Sequence, residues 1–162
     1  MDLTPEWAFD AGEHAAMGEA LEEATRASAA GDVPVGAVVV DSEGAVLARA
    51  GNRREAEQDP TAHAELLALR AASQALGSWR LAGCTLFVTL EPCAMCAAAC
   101  VHARLDRVVW GAPDPRAGFA GSVGNLLEDP RLGHRVAWRG GLRAPEASAL
   151  LERFFANLRD GG

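Results

Sequence analysis

Residues 84–111 read CTLFVTLEPCAMCAAACVHARLDRVVWG, and this stretch decides the fold class. An apolar run over residues 84–90 is typical of a buried strand, and a second apolar run follows at residues 107–111. The segment between them, from Pro92 to about Arg104, is predicted to be a helix. Strands that alternate with helices indicate parallel crossovers in which the helices cover the sheet. The sequence therefore predicts an α/β fold.

The sequence on both sides of this unit predicts the remaining elements. A first amphipathic helix ends near Gly31, because Met17, Leu21 and Ala24 recur at helical spacing. The other predicted elements are a hairpin of residues 35–40 and 45–50, a helix over 61–76, a loop over 112–124, an edge strand over 135–138 and a final helix from Pro145. We expect a three-layer α/β/α architecture with a central five-stranded mixed sheet.

Length and composition limit the class of protein. The chain of 162 residues is 49% hydrophobic and 23% charged, so we expect residues 1–162 to form one domain with an ordinary core. About ten N-terminal residues and the last few residues are expected to be disordered. No apolar run approaches a membrane span and the N-terminus is acidic, which predicts a cytoplasmic protein without membrane association. The net charge of -7 argues against a nonspecific nucleic-acid binder.

Two short motifs form a predicted metal site. His63 and Glu65 lie at the start of one predicted helix, while Cys93 and Cys96 open another helix directly after a strand. A helix N-terminus favours the thiolate form of cysteine, and zinc binds thiolate and imidazole ligands tetrahedrally. Three protein ligands leave the fourth position for water. Glu65 is two residues from His63 and could move the protons of that water without binding the metal.

The remaining cysteines leave an alternative open. A structural zinc site would need a fourth ligand, and Cys100 is the best candidate because it follows Cys93 and Cys96 at helical spacing. The same spacing suits a buried apolar cysteine, which is the interpretation we favour for Cys100 and for Cys84.

The motifs resemble those of the bacterial tRNA-specific adenosine deaminases, within the cytidine and deoxycytidylate deaminase superfamily. A histidine and a glutamate two residues apart, followed later by a Pro-Cys-x-x-Cys segment, are the signature of zinc-dependent base deaminases. The resemblance runs from about Leu21 to Phe155, and its matching segments are residues 32–38, 51–53, 59–65, 89–96, 111–115, 120–122 and 134–136.

The resemblance implies a fold, a reaction and a cofactor. It implies a cytidine deaminase-like fold in which His63, Cys93 and Cys96 hold one Zn²⁺ per subunit. Glu65 would move protons while an activated water replaces the amino group of the wobble adenosine in a tRNA anticodon, which gives inosine. It further implies a homodimer that acts on the anticodon stem-loop, with an arginine isoacceptor as the expected tRNA.

The resemblance also carries over four substrate-binding positions. Asn52 would hydrogen-bond the flipped base, although the residues alone favour a turn residue after the hairpin. Asp114 would lie near the ribose and His134 would contact RNA, whereas taken alone each is an ordinary loop or solvated residue. Phe155 would lie near the anticodon loop, but helical spacing predicts that at least one of Phe154 and Phe155 belongs to the core.

The sequence also contains arginines that could bind RNA phosphates, and it departs from the family pattern at two places. The candidate phosphate contacts are Arg53, Arg54, Arg116 and Arg135. No basic cluster follows Phe155, which weakens the electrostatic case for tRNA binding. Phe119 occupies a loop position that is usually small, and it could reshape the substrate entrance.

Two other functions compete with tRNA editing. The first is deamination of a free nucleobase or nucleoside, of the cytosine or guanine type, by the same zinc centre. The acidic composition favours this alternative, and the segment matches favour tRNA. The second is a noncatalytic, zinc-stabilised RNA-binding protein, which the presence of Glu65 disfavours.

Overall fold

The computed structural model describes residues 3–161, which form five helices and five strands together with short 3₁₀ turns. The helices are α1 (Ala11–Ala29), α2 (Arg54–Glu57), α3 (Ala64–Leu76), α4 (Ala94–His102) and α5 (Ala144–Gly161). The strands are β1 (Gly36–Val40), β2 (Val46–Gly51), β3 (Thr85–Leu90), β4 (Arg107–Ala112) and β5 (Ala137–Gly140).

The strands form one mixed sheet in the order β2-β1-β3-β4-β5. Strand β1 is antiparallel to both β2 and β3, while β3, β4 and β5 run parallel to one another. One hydrophobic core lies between the sheet and α3 and α4, and a second lies between the sheet and α1 and α5. The structure confirms the predicted three-layer α/β/α fold with a central five-stranded mixed sheet.

The parallel strands decide where the two motif-bearing helices begin. Strand β3 ends at Leu90, which pairs with Ala112 at the end of β4, and α4 begins four residues after Leu90. Helix α3 packs beside α4 on the same face of the sheet. The first turns of both helices therefore meet near the carboxyl edge of β3.

Several predicted boundaries were wrong by two or three residues. Helix α3 begins at Ala64 instead of residue 61, because the Asp59 carboxylate accepts hydrogen bonds from the backbone N–H and hydroxyl of Thr61 and holds a turn there. Helix α4 likewise begins at Ala94 instead of residue 92. The edge strand begins at Ala137, which is the first residue to pair with β4. These turns leave His63 and Cys93 directly before the two helices.

The prediction that Phe154 or Phe155 belongs to the core was wrong. Ala147 is the buried residue of α5, and Leu150 packs against the core at its edge. Farther along the helix, Phe155 is 43% exposed and Leu158 is 56% exposed. The rings of Phe154 and Phe155 contact each other edge to face, with centroids 5.4 Å apart. The apolar stripe of α5 thus faces outward over its second half.

The expected disorder of the chain ends stays a prediction, and the structure shows which contacts their described residues make. The Thr4 N–H donates to the carbonyl of Gly140, and the Phe9 side chain is buried against the α1 side of the sheet. Asp10 caps α1 by exchanging hydrogen bonds with Glu13. At the other end α5 continues to Gly161. The expectation of disorder at residues 1, 2 and 162 lies outside the described residues.

Across residues 3–161, none of the helices combines the length and the apolar character that a bilayer span requires.

Close contact between α1 and the sheet depends on Gly36. A Cβ atom at this position would overlap the Ala20 carbonyl oxygen and would lie 2.6 Å from the Ala24 nitrogen, both in the α1 backbone. We therefore expect Gly36→Ala to lower the free energy of unfolding by about 3 kcal/mol, because a rigid helix must move away from the sheet. Gly161→Ala is the matched control, since no atom lies within 4 Å of its added methyl group. Equal urea unfolding midpoints for the two variants would contradict this account.

Candidate active site

Three potential metal ligands meet where α3 and α4 begin. His63 is the residue directly before α3, Cys93 is the residue directly before α4, and Cys96 lies in the first turn of α4. The Nδ1 atom of His63 lies 3.7 Å from the Cys93 Sγ and 3.5 Å from the Cys96 Sγ. The three donor atoms all lie within 4.8 Å of one another. The structure thus brings together all three predicted ligands.

These separations fit zinc. Zn–N and Zn–S bonds of ordinary length at a tetrahedral angle put a nitrogen and a sulfur ligand about 3.6 Å apart. The two nitrogen–sulfur distances, 3.7 and 3.5 Å, lie on either side of this value. One imidazole and two thiols are also the donor set that zinc prefers. The cofactor of this site is zinc, and three protein ligands leave one coordination position for a small molecule.

The local structure prepares one thiol for metal binding. Hydrogen bonding, from the Cys96 thiol first and then from His63, lowers the pKa of Cys93 to about 4. The position of Cys93 at the N-terminus of α4 favours the same thiolate form, because backbone N–H groups point toward the sulfur. Cys93 is therefore a thiolate at neutral pH, as metal binding requires.

Glu65 lies beside this group and is buried. It is in the first turn of α3, two residues after His63, and its side chain is 4% exposed. Burial is the main cause that raises the pKa of Glu65 to about 7. A carboxyl group with a pKa near neutral can both accept and release a proton at physiological pH, which is the property required of a general acid and base.

A small cavity joins these residues to two of the predicted substrate contacts. Its volume is about 170 Å³, and Asn52 and Asp114 line it together with His63, Glu65 and Cys93. Asn52 is buried, and its Oδ1 accepts a hydrogen bond from the Arg54 backbone N–H at 3.1 Å. The Asp114 carboxylate accepts hydrogen bonds from the backbone N–H groups of Arg116 and Ala117. Apolar side chains also contribute to the wall, among them Val33, Val35 and Leu90.

The structure does not bring His134 and Phe155 to this cavity. The His134 Nε2 lies 2.8 Å from the carbonyl oxygen of Leu105. Leu105 precedes the first residue of β4, so this contact lies at the end of the sheet opposite the metal ligands. Phe155 lines a separate groove of about 520 Å³ with Arg116, at the surface of α5. Any contact of either residue with a substrate would lie outside the cavity.

The predicted phosphate contacts are also dispersed. Arg54 lines the cavity and Arg116 lines the groove beside Phe155. Arg53 pairs with Glu57 at 2.8 Å on the exposed side of α2. Arg135 is exposed next to His134, at the distant end of the sheet. Of these four arginines, Arg54 is therefore the one that lines the same cavity as the metal ligands His63 and Cys93.

Sequence reasoning assigned no role to two buried carboxylates near the cavity. Asp32 is 1% exposed, and it accepts hydrogen bonds from the backbone N–H groups of Glu55 at 2.7 Å and Ala56 at 3.1 Å. It thereby anchors α2 and the turn that carries Asn52. Glu91, which is 2% exposed, accepts hydrogen bonds from the loop after β4. The only sequence signal for these roles was an acidic residue among apolar neighbours. The hydrogen-bond partners could not be identified from the sequence, because they are 23 or more residues away.

The structure decides the open questions about Cys100, Cys84 and Phe119. Cys100 is fully buried in the core on the α4 side and lies outside the group of metal ligands, and burial raises its pKa. Cys84 is buried as well. The favoured interpretation of both residues as core cysteines is confirmed. Phe119 packs against the core and covers Gly124, and it does not line the cavity among the described residues.

Comparisons with known proteins agree with this site. Residues 11–112 match the family model of the cytidine and deoxycytidylate deaminase zinc-binding region. The tRNA-specific adenosine deaminase of Bacillus subtilis is 48% identical over 143 residues, which are 88% of each chain. A solved structure from a study of A-to-I editing by tRNA A34 deaminases has a TM-score of 0.81 and 44% identity, over 85% of this chain and 99% of that chain. A guanine deaminase from Nitrosomonas europaea has a TM-score of 0.76 and 27% identity, over 88% and 84% of the respective chains.

The fold and the metal ligands define a zinc-dependent deaminase of the cytidine deaminase type. Within that class, sequence identity over most of both chains separates the adenosine deaminases from the guanine deaminase. The chain belongs to the family of the tRNA-specific adenosine deaminases.

Two substitutions in α4, Cys96→Ala and Cys100→Ala, test which cysteines bind the metal. We expect Cys96→Ala to lose bound zinc, because two ligands cannot hold the metal against competition from water and buffer. Cys100→Ala should keep one zinc per chain, since the Cys100 thiol lies in the core. Metal content of the purified variants, measured by atomic emission, checks both expectations. Zinc loss in Cys100→Ala would instead support a structural site with four ligands.

Proposed function

We propose that this protein catalyses the hydrolytic deamination of adenosine to inosine at the wobble position of a tRNA anticodon. The observation that carries the proposal is a cavity lined by two of the three zinc ligands, His63 and Cys93, together with the buried carboxyl group of Glu65 and the carboxamide of Asn52. The third ligand, Cys96, lies next to this lining, with its donor atom within 4.8 Å of the other two. The similarity to the B. subtilis tRNA-specific adenosine deaminase supports tRNA as the substrate class. The arginine isoacceptor is part of the proposal on the family resemblance alone.

The size of the cavity favours a flipped base as the group that enters it. At about 170 Å³ it is smaller than the 300–1,000 Å³ of pockets that enclose whole drug-sized ligands. A cavity of this volume suits a single base better than a complete nucleotide, so the ribose and the flanking nucleotides would remain outside. An enzyme that acts on a nucleic-acid base must take the base out of its stack, and a small pocket that accepts the base alone suits that task.

Glu65 is the proposed proton carrier. Bound zinc supplies a water that is activated for attack at neutral pH. Glu65 accepts one proton as the oxygen adds to adenine C6 and passes a proton to the departing amino group, so that water is consumed and ammonia leaves. The pKa of about 7 suits both transfers, because neither protonation state is strongly favoured at physiological pH. Asn52 orients the base, since its carboxamide can donate and accept hydrogen bonds.

The remaining predicted contacts would hold RNA outside the cavity. Asp114 stands at the cavity wall, where its carboxylate could accept a hydrogen bond from a ribose hydroxyl. Arg116 and Phe155 share one surface groove, and an arginine beside an exposed aromatic ring suits a phosphate together with a stacked base. His134 stays a prediction, for a contact remote from the base.

We further propose that the protein is a cytoplasmic homodimer that works as one deaminase domain. An apolar groove of about 550 Å³ lies on the outer side of α3 and α4, and its lining includes Leu66, Trp79 and Ala99. Trp79 is 59% exposed, and Leu76 at the end of α3 is 45% exposed. A second copy is the proposed occupant, because the same two helices carry the metal ligands and an anticodon loop could then contact both subunits. Four free cysteines suit a reducing compartment.

Deamination of a free base is the second candidate function. The N. europaea guanine deaminase shares the fold at 27% identity, and a cavity that accepts a base alone would also accept a free one. The net charge of -7 favours a small substrate over a polyanion. The adenosine deaminases resemble this chain more closely in sequence, so tRNA is the favoured substrate.

The test of function is inosine formation on an anticodon stem-loop with a wobble adenosine. We expect inosine in the stem-loop and no turnover of free adenosine, cytosine or guanine in parallel reactions. Glu65→Gln should lower the rate at least about 100-fold while it keeps zinc, because the amide cannot carry the proton. Turnover of a free base with an untouched stem-loop would favour the second candidate. A Glu65→Gln variant that behaves like the parent protein would favour a noncatalytic role for this glutamate.

The dimer proposal is tested with two exposed tryptophans. We expect the parent protein to have twice the chain mass of 16.9 kDa in light scattering. Trp79→Glu should give the mass of one chain at the same concentration, because a charge in an apolar interface is costly to bury. Trp7→Glu is the matched control, since Trp7 is 86% exposed and lies away from the groove. A monomeric parent protein would refute the dimer.

A further inference from the structure

Glu91 is a buried carboxylate whose partners all belong to one loop. It lies between the end of β3 and Cys93, and it is 2% exposed. Its Oε1 accepts hydrogen bonds from the Asp114 N–H at 3.0 Å and from the Ser122 hydroxyl. Its Oε2 accepts from the N–H groups of Ala120 at 3.1 Å and Ser122 at 2.9 Å. One side chain therefore holds both ends of residues 114–122.

This loop also forms part of the cavity wall. Asp114 and Ala117 line the cavity, and Gly118 pairs with Cys93 in an antiparallel bridge. A side chain at Gly118 would overlap the Glu91 carboxylate and would lie 2.6 Å from the Asp114 carbonyl oxygen. The glycine thus allows the loop to lie directly over the buried carboxylate.

All four acceptor positions of the carboxylate are used within the protein. Each carboxylate oxygen has two lone pairs, and each oxygen of Glu91 receives two hydrogen bonds from the loop. The side chain borders the cavity but keeps no lone pair for a substrate. Its contribution to the reaction must then pass through the residues that it holds.

We propose that Glu91 is a positioning residue that fixes the loop of residues 114–122 as a wall of the base-binding cavity. The inference rests on the proposed function for the identity of the substrate, but not for the position of the loop. A group that only accepts hydrogen bonds suits this place, because three of its four donors are backbone N–H groups, which cannot reverse their direction.

Glu91→Gln tests the inference with almost no change of shape. Whichever way the amide is turned, its NH₂ group faces the N–H of Asp114 or those of Ala120 and Ser122. We expect KM for the stem-loop to rise about tenfold and kcat to change less than about threefold, since a bond to a charged acceptor is lost outside the reacting atoms. Zinc content should stay at one per chain.

A second readout follows the loop without any substrate. Arg116 is exposed within the loop, and trypsin cleaves after arginine. We expect the fragment that ends at Arg116 to appear at least about fivefold faster from Glu91→Gln than from the parent protein, because local opening of the loop exposes the peptide bond. Glu43→Gln removes the same charge from an exposed turn and should change neither KM nor the cleavage rate.

Two further variants test the same contact, one by a milder change and one that leaves the Glu91 side chain in place. Ser122→Ala removes one hydrogen bond and should produce a smaller increase in KM and cleavage rate than Glu91→Gln does. Gly118→Ala should produce the same two effects through steric displacement alone. Unchanged KM in both Glu91→Gln and Gly118→Ala, or faster cleavage without a change in KM, would overturn the inference.

The design separates this inference from the proposed function. If the parent protein leaves the stem-loop untouched, the proposed function fails, and the KM comparison is made with the free base that the protein deaminates. If the parent protein edits the stem-loop and Glu91→Gln matches it in KM and in cleavage at Arg116, the inference about Glu91 fails alone.

Discussion

The metal centre depends on a single constraint, which is that the first turns of α3 and α4 must meet at the carboxyl edge of β3. Three donor atoms from these turns lie within 4.8 Å of one another, although His63 is 30 residues from Cys93. The parallel pairing of β3 with β4 and the packing of both helices on one face of the sheet hold this arrangement. Close contact of α1 at Gly36 covers the other face. The chemistry of the site is thus a consequence of how the layers stack.

Three buried acids near the site illustrate how environment decides the use of a carboxyl group. Glu65 is buried with few donors, and burial raises its pKa to about 7, which suits proton transfer. Asp32 and Glu91 are equally buried, but backbone N–H groups occupy their oxygens. Such bonds to a charged acceptor order the loops that carry Asn52 and Asp114. Glu65 is therefore left free to react, while the other two acids hold the walls of the cavity.

The outer surface of this acidic protein has few features that would attract RNA, which is a polyanion. The net charge is -7, and no basic cluster ends the last helix. The second half of α5 instead presents exposed apolar side chains, with Phe155 beside Arg116. Stacking and a few well-placed guanidinium groups can replace general electrostatic attraction, at the cost of a slower encounter with RNA. The apolar outer groove of α3 and α4 is a separate surface.

Local patterns in the sequence were sufficient for the element types, the α/β class and the residue types of the metal site. The short-range spacing of His63 with Glu65, and of Cys93 with Cys96, is set within single helical turns and can be recognised without the fold. Helix boundaries were less accurate, because turns such as that at Asp59 compete with the first helical turn. Tertiary structure alone decided that Cys100 is a core residue, that α5 leaves Phe155 exposed, that His134 lies far from the cavity, and that Asp32 and Glu91 hold its walls. The physical reason is that burial and hydrogen-bond partners depend on residues 23 to 31 positions apart in the chain, which the sheet brings together.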